Sequence, residues 1–138
     1  MQIHRHINID ELLPPHLRDL PDWKKVLIFD YRTLDIARAS RDRWGPIFMN
    51  DDLWGGDNIW RGYRDAQCTI GADLSQHRFA RAIDMKFGGV TTEEAREDIR
   101  LNQTMWMALG VTRVEEDTSW LHLDCGYTGL EEILFFED

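Results

Sequence analysis

Three side chains in this sequence are of the types that together bind a divalent metal ion. His77 and Asp84 flank the start of a segment that alternates like a β-strand, and His122 lies within a second such segment. If the two segments are neighbouring strands, Asp84 and His122 converge across the sheet. Two imidazoles and one carboxylate, with a fourth position left for water, form an open zinc site of the catalytic kind.

The second segment carries polar side chains where a core-facing strand would be apolar. Alternation places Trp120, His122 and Asp124 on one face, while Leu123 and Cys125 point to the other. This pattern favours a functional face on that strand. It also predicts that Cys125 does not reach a metal bound by His122.

Spacing alone leaves a second interpretation open. In it, His77 is a surface loop residue, Asp84 pairs with a lysine or arginine, and His122 is hydrogen-bonded on a polar sheet face. From the three positions by themselves, this interpretation is favoured over a metal site.

The elements that must position these residues follow from hydrophobic periodicity and stop signals. Segregated strands late in the chain predict an α+β fold with a small antiparallel sheet. The predicted elements are a helix from Asp22 to about Trp44, a strand at 46–50, a glycine-containing loop at 51–76, a strand at 79–87, a helix at 92–109, and strands at 111–115 and 119–124.

The remaining organisation is simple. A chain of 138 residues predicts one domain spanning 1–138. Residues 1–21 are expected to form an extended lead-in, because Pro14, Pro15 and Pro21 block a helix. Two tryptophans of the loop, Trp54 and Trp60, are candidates either for a substrate-binding wall or for core packing under the loop.

Composition excludes several classes of function. The chain has 16 basic and 25 acidic residues and a formal charge of −9, which disfavours nucleic acid as a partner. No apolar run is long enough to span a membrane, and the N-terminal residues lack the apolar centre of a signal peptide. We therefore expect no membrane partner and a cytoplasmic location where the chain is made.

Three blocks in the sequence resemble those of the D-Ala-D-Ala carboxypeptidases. Residues 75–84, SQHRFARAID, resemble the signature Ser-x-His-x-x-Gly-x-Ala-x-Asp, and residues 120–124, WLHLD, resemble Trp-x-His-x-Asp. Upstream, residues 62–64 match a Gly-Tyr-Arg element. Three blocks in the correct order are more specific than any one of them.

The resemblance implies a fold, a metal and an activity. The family shares its fold, a small antiparallel sheet with helices on one face, with vancomycin-resistance dipeptidases, phage endolysins and the Hedgehog signalling domain. It implies that His77, Asp84 and His122 bind Zn²⁺ for amide hydrolysis. It further implies that Arg64 anchors a substrate carboxylate and that Asp124 orients His122.

Two positions depart from the family pattern. Ala80 stands where the signature has glycine, which is costly if the backbone there needs a positive φ. Ser119 stands where many members have a glutamate base, and serine cannot serve as a base near neutral pH. Hedgehog-type domains place a glutamate six residues before the second histidine, which makes Glu116 the candidate catalytic base. Its acidic neighbours Glu115 and Asp117 are substitutes, and the whole run is equally typical of a solvated turn.

These observations predict a zinc-dependent hydrolase that cleaves peptidoglycan stem peptides as a carboxypeptidase or an endopeptidase. The short, tryptophan-rich loop resembles bacteriophage members, which implies release on lysis or association with virion components. The alternative is a structural or virion-associated protein that keeps the fold without hydrolysis, which Ser119 and the acidic surface favour.

Overall fold

A computed structural model describes all 138 residues and shows a mixed α+β architecture with four helices and two small sheets. Short 3₁₀ turns connect several of these elements. The helices and strands are β1 (Gln2–His4), β2 (Ile7–Asn8), α1 (Asp22–Ile28), α2 (Tyr31–Trp44), β3 (Ile47–Phe48), β4 (Ala82–Phe87), α3 (Thr92–Leu101), α4 (Gln103–Leu109), β5 (Arg113–Glu115), β6 (Leu121–Asp124) and β7 (Leu134–Phe136).

The main sheet has five strands in the order β3-β4-β6-β5-β7. All neighbouring pairs are antiparallel except β5 and β7, which run parallel, so the sheet is mixed rather than purely antiparallel. The strand at β7 was not expected from the sequence. Strands β4 and β6 are direct neighbours, and Asp84 lies opposite His122 in their register.

The two faces of the β4–β6 pair differ in chemistry because side chains alternate along each strand. Ile83 and Met85 of β4, and Leu121 and Leu123 of β6, join the hydrophobic core. Helix α2 packs on β4 and helix α3 packs on β6. The intervening polar residues are therefore carried on the face that looks away from this core.

Each of the two predicted helices is broken once. The first is interrupted at Phe29 and Asp30, where the Asp30 side chain accepts a hydrogen bond from the backbone N–H of Arg32 and caps α2. The second is interrupted at Asn102, between α3 and α4. Its predicted start is confirmed, since Thr91 and Glu94 form a reciprocal capping box.

The N-terminal segment differs from the expected extended lead-in. It forms the β1–β2 hairpin followed by 3₁₀ turns at Ile9–Leu12 and Pro15–Leu17. The physical reason is burial: Ile7, Ile9 and Leu12 are almost fully removed from solvent within the main core. The carbonyl of Leu12 also accepts a hydrogen bond from the N–H of Tyr63, which ties this segment to the long loop.

Two tryptophans join the helical layers. Trp44 at the end of α2 stacks on Trp106 of α4, with ring centroids 4.6 Å apart.

No helix in the structure has the length and apolar character needed to cross a membrane.

Candidate metal centre

The structure brings His77, Asp84 and His122 together in one buried cluster. Asp84 Oδ1 lies 3.1 Å from His77 Nε2 and 2.8 Å from His122 Nδ1, and these two ring nitrogens are 3.3 Å apart. Ligand atoms of a tetrahedral zinc ion, each about 2.0–2.1 Å from the metal, are about 3.3 Å apart. The three atoms are therefore spaced closely enough to share one ion.

Different elements deliver the three side chains. His77 lies in the 3₁₀ turn Gln76–Phe79, while Asp84 and His122 are paired across β4 and β6. The alternation in the sequence correctly predicted that Asp84 and His122 would meet if the two strands were neighbours. His77, in the connection between β3 and β4, adds the third side chain from outside the sheet.

A backbone carbonyl fixes the orientation of the His77 ring. His77 Nδ1 lies 2.8 Å from the carbonyl oxygen of Gly62. Because a carbonyl oxygen only accepts, Nδ1 must carry the proton and donate it. The unprotonated Nε2 is then left facing Asp84 and His122, as a metal ligand requires.

A buried carboxylate orients the His122 ring in the same way. His122 Nε2 is 2.9 Å from Asp124 Oδ2, and Asp124 is completely buried. Arg113 holds both oxygens of Asp124 through contacts of 2.8–3.0 Å. This arrangement turns His122 Nδ1 toward Asp84 and His77.

The three side chains of the cluster differ in charge when no metal ion is bound. Burial lowers the pKa of His77 more than Asp84 raises it, so this ring is neutral. Burial alone would raise the pKa of Asp84, but the two histidines lower it, so the carboxylate is ionised. Burial would lower the pKa of His122, yet hydrogen bonds to Asp124 and Asp84 raise its pKa to about 9. In the absence of a metal ion, His122 Nδ1 carries a proton that faces Asp84. A metal ion bound there would replace this proton.

The cluster lines an open cavity of about 480 Å³. Arg64, Glu115, Trp120 and Phe136 contribute to its walls. Phe136 of β7 also packs edge-on against the His122 ring, with centroids 6.1 Å apart. The site therefore has three fixed side chains and an adjoining space for water and a ligand.

Arg64, to which the resemblance assigns a substrate carboxylate, lines the same cavity and contacts one of the three candidate ligands. Its Nε donates to the carbonyl of Trp60 at 2.7 Å, and its Nη2 donates to Asp84 Oδ2 at 3.1 Å. A Cβ atom on Gly71 would lie only 2.6 Å from Arg64 Nη1, so glycine leaves room for the guanidinium. Nη1 has no acceptor within the protein.

Glu116 is not brought to the cluster. It contacts Arg100 of α3 and does not line the cavity. Glu115 lines the cavity instead, and burial raises its pKa. The alternation of β5 could have identified it, because buried Val114 puts Arg113 and Glu115 together on the face that holds Asp124.

Ser119 is exposed and contributes no carboxylate at the site.

Ala80, which replaces the glycine of the signature, has a left-handed backbone with φ of 54°. Its position between His77 and β4 is therefore one that favours glycine.

Comparisons with protein-family models, with curated proteins and with solved structures found no match to this chain.

Proposed function

We propose that this chain is a zinc-dependent peptidase that hydrolyses amide bonds of peptidoglycan stem peptides. The observation that carries the proposal is the meeting of His77, Asp84 and His122, whose facing atoms are 2.8–3.3 Å apart beside an open cavity. These are the residues at which the sequence resembles the metal blocks of the D-Ala-D-Ala carboxypeptidases. A phage origin, suggested by the tryptophan-rich loop, is part of the same proposal.

The donor set suits zinc. Two imidazole nitrogens and one carboxylate oxygen form a borderline-soft site, whereas calcium and magnesium prefer oxygen ligands alone. Bound zinc supplies a Lewis acid that activates water and polarises the scissile carbonyl. The three ligands, oriented by Gly62, Asp124 and Arg64, hold their geometry before the ion arrives.

Glu115 is the residue that we assign as general base, in place of Glu116. It faces the cavity, and its raised pKa brings it closer to the range in which a carboxylate accepts a proton near neutral pH. Glu116 is held by Arg100 outside the cavity. In this assignment Glu115 takes the proton from the attacking water and passes it to the leaving amine.

Arg64 binds the substrate in this proposal. Its Nη1 has no protein acceptor and points into the region that Gly71 leaves open. A guanidinium there suits a carboxylate of the stem peptide. Because Nη2 also holds Asp84, substrate binding and the geometry of the metal ligand are coupled through one side chain.

The specific fold of the carboxypeptidase and Hedgehog family belongs to this proposal as well. Three observations support it: the order of the motif blocks, the antiparallel pairing of the two metal strands, and the left-handed backbone at Ala80, where the family has glycine. The helices on the core face of the sheet agree with that architecture.

Hydrolysis of purified peptidoglycan by zinc-loaded protein tests the proposal, with Glu115→Gln and Glu116→Gln as a matched pair. We expect Glu115→Gln to lower kcat by about 100-fold or more, because a general base contributes that much. Glu116→Gln should stay within about threefold of the parent, since Arg100 holds it away from the cavity.

The outcomes separate three accounts. Loss of hydrolysis in Glu116→Gln with activity retained in Glu115→Gln would show that the base is assigned to the wrong residue. Zinc binding without any hydrolysis would favour the alternative, a structural or virion-associated protein that keeps the metal. Absence of zinc binding would exclude the zinc peptidase and leave only the alternative, a protein that keeps the fold without hydrolysis.

A further inference from the structure

A second cavity adjoins the first at the metal cluster. It has a volume of about 260 Å³, and both cavities are open to solvent. The two share four wall residues, namely Arg64, Ile70, Asp84 and Trp120. Because Asp84 is one of the three candidate ligands, the metal position lies at the junction of the cavities and not at the closed end of one.

The second cavity has walls suited to a peptide chain. Ile59, Trp60 and Trp120 give it apolar surface, and Asn58 and Arg61 are fixed in place by their own contacts with the loop around Asp51. Because Asn58 and Arg61 already contact Asp51, they shape the wall of the second cavity.

The tryptophans also offer free donors. Of the six tryptophans, only Trp44 donates its indole N–H to an acceptor within the protein. Trp60 and Trp120 thus line the second cavity with indole N–H groups that have no acceptor within the protein.

We propose that the second cavity is a binding subsite for the part of the substrate that lies beyond the scissile bond. The protein then cleaves internal bonds of an extended peptide, and does not merely remove a terminal residue. This inference rests on the proposed peptidase function and extends it. A chain that crosses the junction has its amide at the metal position, with one flank along Gln76 and Phe136 and the other along Ile59 and Trp60.

Two peptidoglycan fragments distinguish internal from terminal cleavage. One is a monomeric pentapeptide fragment, which ends one residue beyond its last amide bond. The other is a cross-linked dimer, in which the chain continues on both sides. We expect zinc-loaded protein to cleave an internal bond of the dimer with a KM at least about tenfold lower than for release of the terminal residue, because the second cavity adds contacts.

Trp60→Ala and Trp54→Ala form a matched pair of variants. Trp54 belongs to the same loop but lines a separate cavity with Phe48 and Lys86. We expect Trp60→Ala to raise KM for the dimer by about tenfold with little change in kcat, and Trp54→Ala to leave both unchanged. Ile59→Trp, which fills the second cavity without removing a wall, should raise KM for the dimer in the same way.

Several results would overturn the inference while the proposed function stands. They are release of the terminal residue alone, or equal kinetics for the dimer in parent, Trp60→Ala and Ile59→Trp proteins. If zinc-loaded protein hydrolyses neither fragment, calorimetric titration measures the binding affinity of each fragment instead. Tighter binding of the dimer than of the pentapeptide, weakened by Trp60→Ala, supports peptide binding in the second cavity, while the peptidase proposal and internal cleavage both fail. Binding of neither fragment contradicts both.

Discussion

Asp84 is a candidate metal ligand whose two carboxylate oxygens contact different side chains. Its Oδ1 faces both imidazoles, and its Oδ2 accepts a hydrogen bond from Arg64, so the two oxygens have separate partners. Burial would raise its pKa, but the neighbouring histidines lower it and keep the carboxylate ionised. The side chain is therefore charged and immobile where a ligand is needed.

A change at Asp124 tests whether the orientation of His122 matters for the metal. Asp124→Asn keeps the size of the side chain but removes the charge that fixes the His122 proton on Nε2. We expect zinc affinity to fall by about 10- to 100-fold, as for other buried partners of ligating histidines. Competition with a chromophoric chelator measures this. Equal affinity in the parent and the variant would mean that Asp124 has no orienting role.

At the residue scale, the sequence predicts which three side chains meet, but not which glutamate lines the cavity beside them. The ligand positions follow from motif blocks and strand alternation, which do not depend on exact strand ends. The choice between Glu115 and Glu116 depends on where the three-residue strand β5 ends and on which of its faces Glu115 occupies. A shift by one residue reverses the face, so an acidic run cannot settle it without the pairing of β5 with β6.

At the scale of elements, the β4–β6 register is the feature that builds the site. It places Asp84 opposite His122, and it places Ile83 opposite Leu123 in the core. One ladder thus combines a buried apolar face with a polar face. A slip by one residue would exchange these faces, so burial of the apolar residues specifies the register of the two candidate ligands, Asp84 and His122.

The turn between His77 and β4 has a backbone conformation that restricts its sequence. Ala80 has a φ of 54° and is almost fully buried, and its carbonyl accepts a hydrogen bond from Thr33 Oγ1 at 2.8 Å. We expect Ala80→Val to destabilise the protein by about 1–3 kcal/mol, because a β-branched residue is strained in this region. Ala80→Gly should change stability by less than about 1 kcal/mol.

Urea denaturation measures the free energy of unfolding of Ala80→Val and Ala80→Gly relative to the parent. If valine is tolerated as well as glycine, the turn does not have the left-handed conformation in solution.

Other elements were less accessible to sequence reasoning. Helix periodicity runs through residues 22–44 and 92–109, and tertiary packing decides that the chain breaks at Phe29–Asp30 and at Asn102. The N-terminal hairpin depends on long-range burial of Ile7 and Ile9, which local proline signals do not report. Strand β7 pairs in parallel with β5, and a parallel pairing leaves no turn signature in the sequence.

At the scale of the whole molecule, Asp98 connects the two longest helices. It lies on α3 and accepts hydrogen bonds from Arg43 and from the indole N–H of Trp44 on α2, at 2.7–2.9 Å. It also accepts from the Asn102 side chain, at the break between α3 and α4. This carboxylate therefore joins the ends of three helices beside the Trp44–Trp106 stack.

The contribution of Asp98 to stability should depend on pH. Its hydrogen bond with Arg43 lowers its pKa in the folded chain. The contribution is therefore complete above the unfolded value of about 3.9 and is lost as the pH falls through the folded value. We expect Asp98→Asn to be less stable than the parent by about 1–2 kcal/mol at pH 7.

Urea unfolding at pH 7 and near pH 3 checks the sign. The difference between parent and variant should shrink at the lower pH. A difference of equal size at both values would show that the charge of Asp98 contributes nothing to stability.

Anomalous diffraction at the zinc edge, from crystals of the full chain grown with zinc, tests the central claim most directly. The account predicts one anomalous peak about 2.0–2.2 Å from each of His77 Nε2, Asp84 Oδ1 and His122 Nδ1. It also predicts loss of this peak in His122→Ala. A cluster without a peak, or a zinc ion held by other residues of the chain, would contradict it.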